Sequence, residues 1–285
     1  MRRLPKPNLA VGAVYASCVQ GVIDAAAVTR FQAAAQDMEH LAGLYDSRAA
    51  ANELYQFAPS EWGQPGQVAV GALTKGDLTS LYTDYMVKRN MPARPLYDRL
   101  LIAPLGKCPY CGFGHVSTLD HFLSKARYPG FAVLPTNLVP CCGDCNHGKG
   151  AGVLTADNQI PHPYYEAPAI ETDAWLFASI EEATPARAQY FVVIPAGWPA
   201  ALASRVQNYF RDFDLGRRFS VEAASEIVSL SDLLVPLANA ELIRQRLQQD
   251  ADIERARRAN TWKAALYEAL ACSAWYCGGG WRVRY

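Results

Sequence analysis

Leu138–Gly150 reads LVPCCGDCNHGKG. Three of the eight cysteines fall within five positions, Cys141, Cys142 and Cys145, and Asn146, His147 and Lys149 follow directly. Upstream, Lys107–Gly112 reads KCPYCG, which pairs Cys108 with Cys111 at the same C-x-x-C spacing as Cys142 and Cys145. Two such pairs predict a tetrahedral four-thiolate zinc site with Zn–S of about 2.3 Å. Gly112 is read as the residue that lets the first knuckle turn and aims backbone N–H groups at the sulfurs. Cys141, at the end of an apolar run, is expected to point into the core as a small apolar side chain. Cys18, Cys272 and Cys277 have no partner at ligand spacing and are read as buried thiols. A redox C-x-x-C is the rival reading, but two matched pairs without a thioredoxin-like context favour metal.

Outward from this stretch, charge is uneven. The 285 residues have zero formal net charge. Met86–Gly150 holds eight basic and three acidic residues, +5, against −2 for residues 1–85 and −3 for residues 151–285. A positive centre between acidic flanks suits a polyanion, and a chance cluster on a solvated face is the alternative. MRRLPKPNLAVGAVYAS at the N-terminus lacks the long apolar run of a signal peptide, and no run of 18 apolar residues follows anywhere. The expectation is a cytoplasmic protein with no membrane partner, where thiols stay reduced.

The rest reads as mainly helical. Val22–Leu44 and Ser47–Phe57 are alanine-rich with spaced large apolar residues. Pro59–Gln67 is a loop by its Pro and Gly. Asp77 is expected to cap a helix through about Arg89 that turns Leu78, Leu81, Tyr82 and Tyr85 to one side. Pro95–Leu105 looks like a short helix. Gln189–Pro195 is expected as a strand, and Pro199–Phe213 and Val221–Val228 as helices. Ala238–Ala271 reads as a long helical stretch with a break near Asp250–Asp252. The tail CGGGWRVRY suits an edge strand or an aromatic dock. The expected architecture is α+β, mainly α-helical, packed as one body. It divides into an N-terminal helical region (1–105), a cysteine module (106–152) and a C-terminal helical region with a small strand element (153–285).

Thirty residues separate Cys111 from Cys142, too many for a common zinc ribbon. They contain Asp120–His121 after a short β-type run and Asn137 before another, and Asn146 opens a short helix. In this order of Cys-x-x-Cys, Asp-His, Asn, Cys-x-x-Cys-Asn and Lys149, Lys107–Gly150 resembles the HNH endonuclease family. It is similar to the zinc-stabilised form of these ββα-metal, treble-clef-like nucleases. The resemblance covers about one sixth of the chain.

It implies a role for each matching position. Cys108, Cys111, Cys142 and Cys145 would hold structural Zn²⁺. His121 would be the general base for water. Asp120 and Asn146 would hold one Mg²⁺ or Mn²⁺, a hard cation suited to oxygen ligands. Asn137 would brace the loop and orient His121, and Lys149 would lie near a phosphate or the developing anion. The products would be a 3′-hydroxyl and a 5′-phosphate. Asn146 stands where other members carry a third His, and His147 is a possible competing ligand. His115 has no assigned role; His162 could approach the site from the following segment, with a structural or surface role the favoured reading.

The expected activity is metal-dependent hydrolysis of DNA phosphodiester bonds, with RNA a possible substrate. The alternative is a non-catalytic zinc module that binds nucleic acid or protein. The large helical flanks suggest substrate positioning or a protein partner such as an ATPase, in a defence system or mobile element. Two geometric conditions apply. Asp120 and His121 would face opposite sides of a regular strand, so both reach one site only if the strand ends, twists or bulges there. The His121 ring must also lie near Asn146 and be open to solvent.

Overall fold

The computed structural model describes residues 1–102, 104–237 and 239–282. The architecture is α+β and mainly helical, with three two-stranded antiparallel sheets among the described residues. The chain divides into two compact units, Arg2–Glu166 and Ala167–Tyr285 with Met1. Among the described residues no helix is long and apolar enough to cross a membrane.

In the first unit, helices α1 (Val11–Val19), α2 (Ala25–Ala33) and α3 (Ala35–Ala50) precede a short hairpin of β1 (Val68–Val70) and β2 (Leu73–Thr74). Helix α4 (Lys75–Thr83) starts from a capping box: Thr74 Oγ1 accepts the Asp77 N–H, and Asp77 Oδ2 accepts the Thr74 N–H. Asp77 therefore lies inside the first turn, not at the cap, and the helix ends at Thr83, short of Arg89. This reciprocal pairing satisfies two otherwise orphaned N–H groups. Helix α5 (Arg94–Leu100) starts with Pro95 near its first turn and also ends short of Leu105. Strands β3 (Thr118–His121) and β4 (Leu138–Cys141) pair in regular antiparallel register, Thr118 opposite Cys141 and His121 opposite Leu138. Helix α6 (Gly143–Lys149) follows at once.

Alternation along β3 and β4 puts Leu119 and Leu138 into one apolar cluster with Val14, Phe31, Met38, Leu81 and Tyr82. The cysteine module and the N-terminal helices thus share a core. Each fully buried Leu or Phe there contributes about 1.5–3 kcal/mol relative to exposure. The segment 153–166 belongs to this unit too, where Tyr164 O–H donates to the Leu138 carbonyl at 2.9 Å.

The second unit opens with α7 (Ala169–Thr172) and a hairpin of β5 (Leu176–Glu181) and β6 (Arg187–Val192), against which α9 (Leu215–Leu234) and α11 (Trp262–Cys272) pack. Helices α8 (Ala200–Asp212), α10 (Ala240–Arg257) and α12 (Ala274–Cys277) complete it. The helical break falls after Arg257, not near Asp250–Asp252. Asn260 sets it there, its Oδ1 accepting the Trp175 and Leu176 N–H groups at 2.8 and 3.1 Å. The tail makes no strand within the described residues: Gly280–Arg282 is a 3₁₀ turn with Trp281 buried, and Val283–Tyr285 lie outside them. Cys18 and Cys277 are buried as expected, but Cys272 is exposed because it ends α11 on an outward position.

A four-cysteine cluster beside a buried Asp-His pair

The Sγ atoms of Cys108, Cys111, Cys142 and Cys145 all lie within 4.8 Å of one another, and all four residues are buried. A tetrahedron with Zn–S of about 2.3 Å has sulfur–sulfur edges of about 3.8 Å. Cys111 Sγ and Cys142 Sγ are 3.8 Å apart. Four thiolates at this spacing repel without a cation between them. Mutual hydrogen bonding, with Cys108 the leading partner, holds Cys111 down at about 7 and Cys142 lower still. Cys108 and Cys145 are pushed far up in return. A dication lets all four ionise, so the donor set fits zinc.

The two knuckles are built differently. In the first, Gly112 adopts φ +79° and its N–H donates to the Cys108 carbonyl at 2.9 Å. The N–H that reaches a sulfur belongs to Gly114, which donates to Cys111 Sγ at 3.3 Å. A Cβ on Gly114 would meet Cys142 Sγ at 2.8 Å and Cys111 Sγ at 3.2 Å. Gly114, which the spacing of the cysteines did not single out, is therefore the glycine that admits the second knuckle. In that knuckle Cys142 is the N-cap of α6 and Cys145 lies in its first turn. Cys141 is fully buried at the end of β4, and burial pushes its thiol far up.

β3 carries Asp120 and His121 at its C-terminal end, and its register shows no bulge. Adjacent residues therefore project to opposite faces. The His121 ring stands edge-on to Tyr82 of α4, with centroids 4.3 Å apart. Its Nε2 lies 2.9 Å from the Ala132 carbonyl. A carbonyl only accepts, so Nε2 carries the proton and the Nδ1 lone pair is left free. The residue is 8% exposed. Burial, then the nearby Lys125 charge, pulls its pKa down to about 3. The expected open ring is thus nearly closed in, because α4 packs over the strand.

On the other side, the Asp120 carboxylate meets Lys149 and Tyr110. Lys149 Nζ donates to Asp120 Oδ2 at 2.7 Å and to the His121 carbonyl at 2.7 Å. Tyr110 O–H donates to the same carboxylate oxygen at 3.3 Å. Lys149, at the C-terminal end of α6, thus joins that helix to the end of β3, on the carboxylate of Asp120. Asn146 lies three residues earlier on α6, on the helical face that Lys149 shares. It is half-buried, and its side chain makes no hydrogen bond among the described residues.

Asn137 is fully buried. Its Oδ1 accepts the Leu123 N–H at 2.7 Å, and its Nδ2 donates to the Leu123 and Phe131 carbonyls at 3.0 Å each. It ties down the loop that ends at Ala132, the acceptor for His121. Two residues from outside the cysteine module support it. Tyr45 of α3 donates its O–H to Asn137 Oδ1 at 3.0 Å, and His162 Nε2 lies 3.1 Å from the Tyr45 oxygen. His162 is buried and stacks on Phe122 at 4.0 Å between centroids. It is structural. His147 is exposed and bonds back to its own helix through Gly143 at 2.8 Å, and His115 lies beside Lys107, 3.3 Å from its Nζ.

No family model matches the chain, and no solved structure matches it. It is 29% identical to Protein ea31 of Escherichia phage lambda, across 96% of this chain and 98% of that protein. The likeness runs through both units, well beyond the cysteine module. A relative carried by a phage fits a mobile element, and the four-cysteine cluster identifies a place where this chain can hold a metal ion.

Proposed function

We propose that the chain is a metal-dependent endonuclease of the HNH kind, hydrolysing phosphodiester bonds of DNA. One observation carries the reading: Lys149 Nζ lies 2.7 Å from both Asp120 Oδ2 and the His121 carbonyl, four residues beyond the cluster ligand Cys145. Lys149 thereby couples the helix that carries Cys145 to the end of β3, at the Asp120 carboxylate and the His121 backbone carbonyl, while the His121 ring packs on the other face against Tyr82. An internal cation already rests on Asp120, so the carboxylate sits where positive charge is accepted.

The residues fit a hard divalent ion in their donor chemistry. Asp120 and Asn146 would supply oxygens, and the Asn146 side chain has no competing hydrogen bond among the described residues. Such an ion supplies Lewis acidity against a phosphate oxygen and the leaving oxygen. His121, with Nε2–H fixed on the Ala132 carbonyl, offers Nδ1 to a water proton. Asn137 keeps that carbonyl in place. Burial makes the ring a weak base in the free protein, and a phosphodiester anion brought beside it raises its proton affinity. With an ion held by Asp120 and Asn146, Lys149 would be free to contact phosphate.

The burial of His121 favours a second reading, a zinc module that binds nucleic acid or protein without cleaving it. Plasmid nicking decides between them. The zinc-loaded chain is incubated with supercoiled DNA and Mg²⁺ or Mn²⁺, beside His121→Ala and His121→Gln. Divalent-dependent nicking that falls about 10²–10⁴-fold in both variants is expected of a lost general base. No nicking, or equal nicking by all three, leaves the binding module.

A further inference from the structure

A groove of about 480 Å³ opens between the Pro59–Gln67 loop and α4, lined by Trp62, Pro65, Lys75, Thr79, Thr83 and Lys125. Its chemistry is unusual in two ways. Trp62 is 64% exposed, a large apolar face left in water. The two ammonium groups have no carboxylate within ion-pair distance among the described residues. Lys75 is 7% exposed and donates only to the Glu61 carbonyl. Lys125 lies over the Tyr82 ring, 5.1 Å from its centroid. Lys75 is buried and Lys125 half-buried; a cation out of water without a counter-ion is costly, and an arriving anion would offset that cost. Thr79 and Thr83 add hydroxyl oxygens along the same wall.

The groove also adjoins the candidate site. Tyr82, on the helix that forms its wall, has Lys125 over its ring and packs edge-on against His121, 4.3 Å away. One aromatic side chain separates the two places.

We propose that this groove holds a single nucleic-acid strand flanking the reacting phosphate, with one unpaired base stacked on Trp62 and the neighbouring phosphate on Lys125. An indole face can only meet the face of a base that has left its own stack, so the ligand is single-stranded or locally melted nucleic acid, not intact duplex. Lys75 adds positive potential beneath the strand. The inference rests on the nuclease reading for its ligand class.

The test uses the full zinc-loaded chain and a fluorescein-labelled 12-nucleotide oligothymidylate, followed by anisotropy without added divalent ion. Trp62→Ala is expected to weaken binding about 5- to 150-fold, the effect of losing one stacked base, and Trp62→Tyr to restore most of it. Lys125→Gln should lower the slope of log affinity against log salt by about 0.7. Because Trp62 is largely exposed, its replacement leaves the fold intact, which thermal melting verifies. Binding unchanged in Trp62→Ala overturns the inference, as does a duplex of the same length held as tightly as the single strand. Nicking run in parallel separates the two ideas. A wild type that nicks plasmid while Trp62→Ala binds normally removes the groove alone. Trp62-dependent binding without any nicking removes the hydrolase and keeps the groove as a nucleic-acid site.

Discussion

Replacing Lys149 by Met keeps most of the unbranched side chain and deletes its charge. The Lys149–Asp120 contact is 2.7 Å, with side chains 13% and 6% exposed. Removing one partner of a pair this buried leaves the Asp120 carboxylate nearly dry, with the long 3.3 Å bond from Tyr110 remaining on that oxygen. The expected loss is about 3–5 kcal/mol. For a unit the size of Arg2–Glu166, at about 2–4 °C per kcal/mol, its Tm falls by about 6–20 °C. The double variant Asp120→Asn/Lys149→Met removes both charges and should recover most of that loss, since the penalty lies in the orphaned carboxylate. Mn²⁺ adds a second arm. In Lys149→Met the ion meets a bare carboxylate, and at 100 times its Kd it returns about 2.7 kcal/mol. In the wild type it must first displace the ammonium, so its stabilising effect at equal concentration is smaller. Thermal melts of the zinc-loaded proteins with and without Mn²⁺ measure all of this. A single variant within about 0.5 kcal/mol of wild type, the range of ordinary surface changes, refutes the buried pair. Equal Mn²⁺ shifts in wild type and Lys149→Met refute the idea that lysine and ion compete for Asp120.

The two glycines of the first knuckle should separate metal from backbone. Gly114→Ala forces a Cβ to 2.8 Å from Cys142 Sγ and should speed zinc release to a chromogenic chelator. Gly112→Ala, with open space but φ +79°, should cost about 1–2 kcal/mol while retaining stoichiometric zinc. His162 gives the fold a pH dependence: burial, then the Lys149 charge, holds its folded pKa well below the usual 6.5. Its contribution is therefore complete above pH 6.5 and is lost as pH falls below it, where the unfolded chain takes up a proton that the fold refuses. Urea denaturation should show that His162→Gln loses about 1.4 kcal/mol less than wild type between pH 7.5 and 5.5.

What the sequence made legible was local. Cys108, Cys111, Cys142 and Cys145 were readable because ligand geometry fixes their spacing within each knuckle. β3, β4 and α6 were readable because short apolar runs flank the polar positions. Features set by distant partners were not. Asp77 and Thr74 are both good capping types, and only the reciprocal bond assigns Thr74 the cap. Asp250–Asp252 looks like a helix break, but the chain turns at Asn260, whose amide is claimed by Trp175 and Leu176 more than 80 positions away. β5 went unread because LFASIE carries weak strand formers on its outer face and is defined by its pairing with β6. Helix α1 was likewise not anticipated. Nothing in the cysteine spacing marks Gly114, because its constraint arises only where the two knuckles meet.

The same distinction explains why so small a module sits in so large a chain. A cysteine clamp constrains the ends of the enclosed segment, Cys111 and Cys142, but leaves 30 residues between them. Those residues bury too little surface of their own to be held rigidly. The N-terminal helices supply the missing constraint at its middle. α3 places Tyr45 on Asn137, and α4 places Tyr82 against both His121 and the Leu119 carbonyl, the latter at 3.4 Å. The helices that order the Asp-His pair are therefore the ones that close over its imidazole. Tyr82 of α4 covers the His121 ring, and the same helix walls the Trp62 groove, so a strand held in that groove would contact the helix that covers the ring.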